Sequence, residues 1–342
     1  MTHTLTPREA FGTIGAVVVT YNRLDDLKIV LSAYDSMEYY PDFVLVIDNA
    51  SDSDTKSFLE RWSAIESAYR RIVIRMSENT GGAGGFKTGI DRALEEGADW
   101  VFVADDDAVP RADVFERLAE GHDLIDEPDK LSALCTAVHT SEGIDLSHRR
   151  RVKTGLLSVR ETAVPLAEYA QDYFYLDEFS YVGAFIRANA VRAVGSTRGD
   201  FFIFYDDTEH SLRLRNYGPI ACVPAAVTEH KTSAPASLPD VTWKSYYGWR
   251  NSLITTKERF SRWHFFWKVV NEYLRQCSSL AQLLRHRSPE RVYVMRRAIG
   301  DALHGKTGLS ADFPPGKPVE IKGKGCLSND HDGVTGGSRS DD

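Results

Sequence analysis

Three short apolar runs constrain the first third of the chain most tightly: "IGAVVVTY" (Ile14 to Tyr21), "FVLVIDN" (Phe43 to Asn49) and "WVFVADDD" (Trp100 to Asp107). Each is short, rich in strand-forming residues and closed by polar side chains, so each predicts a buried strand. "RIVIRMS" (Arg71 to Ser77) alternates more and predicts a fourth. Between them, Leu24, Leu27, Val30 and Leu31, then Phe58, Leu59, Trp62 and Ile65, recur at helical spacing. Strand, helix and strand in repetition predict an α/β fold with a mostly parallel sheet. Its right-handed crossovers bring every strand's carboxyl end to one edge, the edge where open α/β sheets bind ligands.

That edge should gather Tyr21 and Asn22, Asp48 and Asn49, the loop "ENTGGAGGF" (Glu78 to Phe86), and the triplet Asp105, Asp106 and Asp107. Adjacent carboxylates at a strand end repel, and a divalent cation relieves the repulsion. Oxygen donors suit Mg²⁺ or Mn²⁺, which leave coordination positions for phosphate oxygens. The alternative is an Asp capping a helix that opens at Pro110, for which a single Asp suffices. Gly81, Gly82, Gly84 and Gly85 allow close backbone approach to a ligand, with a helix expected after them. The loop fits neither a Rossmann nor a Walker pattern, and a plain flexible turn accounts for its glycines equally well.

From about Leu131, "SALCTAVHT" and "YVGAFIRANAVRAVG" give further strand and helix signals. "DFFIFYDDTEHSLRLRNYG" carries a second acidic cluster, Asp206, Asp207 and Glu209, leading into a helix that Gly218 ends. These acids could offset a helix dipole or supply a general base. His230 in "VTEHKTS" read alone is a packed or surface histidine. Residues 243–306 hold thirteen Lys and Arg against four Asp and Glu, although the whole chain has a net charge of −8. There Trp, Tyr and Phe alternate with basic residues, as expected either for a helix on an anionic membrane surface or for aromatics packed between helices. Nucleic acid is disfavoured as a partner, because the acidic remainder repels phosphate backbones. The expected organisation is a catalytic domain over 1–240 (halves 12–107 and 108–240), an aromatic and basic helical segment over 241–310, and a disordered tail over 311–342. Cys135, Cys222, Cys277 and Cys326 form no paired motif. With no signal peptide or spanning stretch read at the sequence level, the expected location is cytoplasmic, peripheral on the inner face of the membrane.

Taken in order, "VVVTYNR", "VIDNASD", "NTGGAGGFKTG", "ADWVFVADDD", "GAFIRANAVRAVG", "FFIFYDDTEHSLRLR" and "EHKTS" resemble the inverting family 2 glycosyltransferases with the GT-A fold. "NTGGAGGF" close to "DWVFVADDD" is most similar to bacterial galactofuranosyltransferases. The likeness runs over roughly residues 12–300. It implies a nucleotide-diphospho-sugar transferase that uses a UDP-sugar donor, inverts the anomeric centre in a single displacement with no covalent nucleophile, and acts on a glycan or lipid-linked acceptor of cell-wall or surface-polysaccharide synthesis.

By the same resemblance, Tyr21, Asn22 and Asp48 would hold the uracil, with Thr20, Arg23, Asn49, Asn79 and Asp106 completing the donor site. Asp105 would sit near the ribose and the metal, and Asp107 and His230 would bind Mn²⁺ or Mg²⁺. Gly84, Gly85 and Phe86 would line the sugar pocket. Asp207 would act as general base, with Asp206 an alternative because the motif reads Asp-Asp, and Glu209 and His210 would orient the acceptor. A dTDP-rhamnose donor, a non-catalytic sugar- or nucleotide-binding protein and a nucleotidyltransferase are the competing readings.

Overall fold

The structure, a computed structural model, describes residues 5–231, 241–283 and 289–321. A short helix, α1 (Pro7–Phe11), leads in, with Thr6 and Glu9 forming a reciprocal cap. The apolar runs then form β1 (Ile14–Thr20), β2 (Phe43–Asp48), β3 (Arg70–Arg75) and β4 (Trp100–Asp105). Crossover helices α2 (Leu24–Tyr34), α3 (Ser53–Ala64) and α4 (Gly81–Glu95) alternate with them. β1 pairs in parallel with β2 and β4, and β2 with β3, so the four carboxyl ends share one edge. β1 and β2 are buried at every position, which explains their unbroken apolar character.

The chain continues through β5 (Ala108–Pro110), α5 (Val114–Leu124), β6 (Ala133–Thr140), β7 (Gly143–Ile144), β8 (Arg149–Thr154), β9 (Val159–Ala163), β10 (Phe174–Leu176) and β11 (Glu178–Phe179). β12 (Ala184–Arg187), α6 (Ala188–Val194), α7 (Asp206–Tyr217) and β13 (Ile220–His230) follow. Among the described residues the main sheet runs β10-β13-β6-β12-β4-β1-β2-β3, with β5 beside β13 and β7 beside β6; β11, β8 and β9 form a small second sheet. Apolar layers cover both faces of the main sheet, one centred on Leu27, Phe102 and Phe115, the other on Val17, Ile90 and Val103.

Two local expectations change. Pro110 lies in β5, opposite Thr228, and the next helix starts at Val114, so the acidic triplet caps no helix at Pro110. The four glycines lie inside the first turns of α4, which begins at Gly81. Gly81 has φ +74°, and a Cβ there would stand 2.0 Å from the Phe202 carbonyl oxygen. At Gly85 a Cβ would stand 2.5 Å from a Val19 methyl, so glycine lets α4 lie directly on β1.

The basic segment forms α8 (Trp243–Arg259), α9 (Arg262–Leu283) and α10 (Pro289–Leu303). Its aromatics divide between both expected environments. Tyr246 and Tyr247 are buried with Phe202 and Val294, whereas Trp263 and Phe266 remain about half exposed and stack at 6.0 Å. The expected tail is packed in its first part: Phe313 is buried, stacks on Tyr246 at 4.4 Å, and its carbonyl accepts from the Tyr247 hydroxyl. A disordered tail was expected from residue 311, and the aromatic contacts of α8 provide the reason its first part docks. Residues 322–342 lie outside the described residues. Among the described residues, no helix is long and apolar enough to cross a membrane.

Candidate active site

At the shared edge, Thr20, Tyr21, Arg23, Asn49, Asn79, Asp105 and Asp106 line one cleft of about 490 Å³ together with Gly81 and Gly82. The sheet order accounts for this meeting, since the β1, β2 and β4 ends are neighbours. Tyr21 projects into solvent at the rim. Asn49 makes a buried crossing point: its amide donates to Asn79 Oδ1 and the Gly81 carbonyl (3.1 and 2.9 Å), and its Oδ1 accepts from the Thr80 amide and hydroxyl (both 3.0 Å). It thereby holds the amino end of α4 against β2. Asn22, at φ 56°, joins the ends of β1 and β2: its backbone N–H donates to Ser51 Oγ (3.1 Å), and its side-chain Oδ1 accepts from the Asp52 backbone N–H (2.8 Å).

Asp48 is buried, ion-paired to Arg75 and accepting from the Ser51 amide at 2.8 Å, so both its oxygens already have protein partners. The expected sugar-lining residues also sit elsewhere. Gly84 faces its own Thr80, Gly85 packs on Val19, and Phe86 is buried against Tyr181 with ring centroids 4.7 Å apart. Gly81 and Gly82 reach the cleft in their place because the helix starts earlier than the spacing suggested. The opposite wall carries Phe202, Ile203, Trp243 and Lys244, none of which belongs to a motif visible in the sequence.

The three consecutive acids separate by environment. Asp106 is buried, accepts from the Thr20 hydroxyl at 2.7 Å and lies 3.5 Å from Arg23. Burial, against that hydrogen bond and Arg23, pushes its carboxyl up to about 6. Burial and then the charges of Asp107 and Asp106 push Asp105 up to about 7. Burial also opposes ionisation of Asp107, but His230 and Arg23 outweigh it and hold this carboxyl below the ordinary range. His230 Nε2 lies 3.3 Å from Asp107 Oδ1, while Oδ2 pairs with Arg23. The β5–β13 register makes this meeting, setting His230 opposite Ala108, one residue beyond Asp107. Burial lowers the His230 pKa and the Asp107 contact more than restores it, so the net shift is upward.

Among the described residues, no three His, Cys, Asp or Glu side chains are gathered into a metal-ligand cluster; Asp105 does not join Asp107 and His230 in one. The Asp107 carboxylate and the His230 imidazole in contact, beside the buried Asp106 and the half-buried Asp105, are nevertheless oxygen and nitrogen donors of the kind Mn²⁺ or Mg²⁺ accepts.

The second acidic cluster opens α7. Asp206 is buried, and burial followed by the Asp207 charge raises its pKa well above normal. Asp207 is partly open, accepts from the Thr208 amide at 2.6 Å, and is raised by burial with the charge of Arg150 opposing. Arg150 also donates to Thr208 Oγ1 at 2.8 Å. Glu209 is turned away from this group. Its carboxylate accepts from Arg213 at 2.8 to 3.0 Å and lies 3.2 Å from Arg259, tying α7 to α8. His210 is buried with Nδ1 2.7 Å from the Tyr181 hydroxyl, and burial pushes its pKa well down. Both expected acceptor-orienting residues are thus held within the scaffold.

The loop before these acids is unusual: Phe202, Phe204 and Tyr205 have φ of 68°, 66° and 68°, a region that bulky residues rarely occupy. Asn251 of α8 holds the loop, donating to the carbonyls of Phe201, Ile203 and Phe204 at 3.0, 3.0 and 2.9 Å, and Arg250 donates to the Phe201 carbonyl at 3.1 Å.

Comparison with known proteins follows the same lines. Residues 16–185 match the family model for glycosyl transferase family 2. The chain is 31% identical over 212 residues to galactofuranosyltransferase GlfT1 of Mycobacterium tuberculosis, covering 60% of this chain and 66% of that protein. It is 30% identical over 222 residues to GlfT1 of Mycolicibacterium smegmatis, covering 64% of this chain and 68% of that one. The chain therefore spans about two thirds of the length of these relatives. The crystal structure of GalNAc-T7 with UDP, GalNAc and Mn²⁺ superposes with a TM-score of 0.59 at 11% identity, over 86% of this chain and 58% of that one, a likeness of fold. With its GT-A sheet, its acidic β4 terminus and these sequence relatives, the chain belongs to glycosyl transferase family 2.

Proposed function

We propose that the protein transfers a sugar, galactofuranose, from its UDP donor to a glycan or lipid-linked acceptor, with inversion at the anomeric carbon. The observation that carries this reading is the placement of two acidic groups around one loop. Asp105 and Asp106 line a cleft that Phe202 and Ile203 wall, and Asp206 and Asp207 begin where that loop ends. Identity to galactofuranosyltransferases supports the choice of sugar.

Asp207 takes the proton of the acceptor hydroxyl as its oxygen bonds to the anomeric carbon. The carbon–oxygen bond to the diphosphate breaks, and its electron pair leaves with UDP. Asp206 is the more buried of the two, and burial with the neighbouring Asp207 charge raises its carboxyl well above the ordinary range, whereas Arg150 opposes the rise at Asp207, which favours Asp207 as the base. Asp107 and His230 would hold the divalent ion, which when bound supplies positive charge to the departing diphosphate. Arg23 neutralises Asp106 and Asp107 at the same edge.

The test is thermal stabilisation by UDP with Mn²⁺. At about 100 times Kd, donor binding adds ~2.7 kcal/mol to stability, and Asp107→Ala removes the Mn²⁺-dependent part. Stabilisation by dTDP without any by UDP would reject the uridine donor.

For the acceptor's location we propose an anionic membrane surface, met by Trp263, Phe266 and Leu156. These side chains are exposed, and the Trp263 indole donates to the Leu156 carbonyl at 2.9 Å, joining α9 to the β8–β9 turn. The protein is expected to co-sediment with vesicles containing phosphatidylserine and to be released by salt. Binding to neutral vesicles alone would refute the electrostatic part.

A further inference from the structure

A second cleft, of about 810 Å³, opens on the other side of the loop that walls the nucleotide cleft. The β8–β9 hairpin forms one wall through Ser158, Arg160 and Glu161, and helices α8 and α9 form the other through Trp249 and Asn271. Tyr205 lies in its lining, whereas Phe202 and Ile203 of the same loop line the nucleotide cleft. The loop is therefore a partition with one cleft on each side, and its next residues are Asp206 and Asp207. The hairpin is fastened to α9, since the Gly155 carbonyl lies 2.8 Å from His264 Nε2 in addition to the Trp263 contact at Leu156. These contacts hold the mouth of the cleft open between two tied elements.

We infer that this second cleft binds the neutral sugar end of the acceptor, an inference that rests on the glycosyltransferase reading above. Its size lies within the usual range for small-molecule sites. The cationic side chains in its lining, Arg160 and Lys268, are matched by the anionic Glu161 and Glu272, so among the described residues the lining has no excess of charge to select an ion. Trp249 and Tyr205 supply the flat apolar surfaces that the C–H faces of a sugar ring need, and the charged and amide groups around them answer its hydroxyls. Trp249 is held in place by the Arg291 guanidinium, 5.3 Å from its ring centroid. The cleft also connects to the base by chemistry: Glu161 lies 3.7 Å from Arg150, the cation that opposes the upward shift of Asp207.

The experiment titrates a neutral octyl galactofuranosyl disaccharide into the full chain with UDP and Mn²⁺, followed by saturation-transfer NMR. Ser158→Trp and Asn271→Trp fill the cleft from opposite walls, and Asn271 is exposed on its helix, so this variant keeps the fold if the hairpin variant does not. The expected result is at least a tenfold loss of disaccharide affinity in the filled variants with UDP affinity unchanged. Undiminished disaccharide binding in a folded variant overturns the assignment of the cleft. Failure of the parent chain to bind UDP, measured in the same samples, overturns the donor reading itself and the inference with it. Binding of the corresponding anionic glucuronide more tightly than the neutral disaccharide also overturns the inference.

Discussion

Replacing Asp207 with Asn is expected to lower kcat by about 10²–10⁴-fold, the usual contribution of a positioned general base, while leaving UDP affinity within about twofold. The amide keeps the shape and still accepts from the Thr208 amide, but it cannot take a proton at neutral pH. Steady-state kinetics with calorimetric UDP titration separates the two effects, and a variant with full turnover would move the role to Asp206. The parent enzyme's pH profile offers a second check. Burial raises both Asp207 and its neighbour Asp206, and a base must be ionised to work. Activity should therefore rise with pH along a limb displaced above the range of an exposed carboxylate, a limb belonging to the Asp206–Asp207 pair as a unit.

Asn251→Ala is expected to destabilise the protein by about 3 kcal/mol and to lower kcat together with that loss. The substitution removes donors from three loop carbonyls and leaves the Arg250 Nε–H, now 2.9 Å from Asn251 Oδ1, without that acceptor. Three bulky residues held at positive φ cost roughly 1–3 kcal/mol each, and they persist only while surrounding contacts outweigh that strain. Once the clamp is gone, the loop relaxes and Asp207 shifts with it. Asn251→Asp keeps the volume but supplies no N–H donors, so it should be no more stable than the alanine variant. Denaturant unfolding of both variants measures this, and an aspartate variant as stable as the parent would show that packing, rather than hydrogen bonding, holds the loop.

Much of the first half of the fold was legible in the chain because its signals are local. The apolar runs at Ile14, Phe43 and Trp100 become strands where expected, and the chain order with right-handed crossovers leaves little choice about the edge that collects their polar ends. Tyr21, Asn49 and Asp105 meet there for that reason. Gly81 and Gly82 line the cleft and Gly84 and Gly85 do not, because glycine content alone does not reveal whether a segment precedes a helix or opens it. Glu209 carried an acidic signal, but its partners Arg213 and Arg259 lie on two helices, and only one of them is near in sequence.

By itself the sequence determined the alternation of strands and helices, the acidic end of β4 and the helix from Asp206 to the stop at Gly218. Those features follow from residue periodicity and chain order over short distances. The family resemblance put His230 with Asp107, and the β5–β13 register makes the contact; tertiary structure alone decided that α8 clamps the loop before Asp206 and that this loop separates two clefts. Each depends on antiparallel register or helix docking between segments far apart in the chain, and such contacts are set by the packing of the whole core rather than by any local pattern.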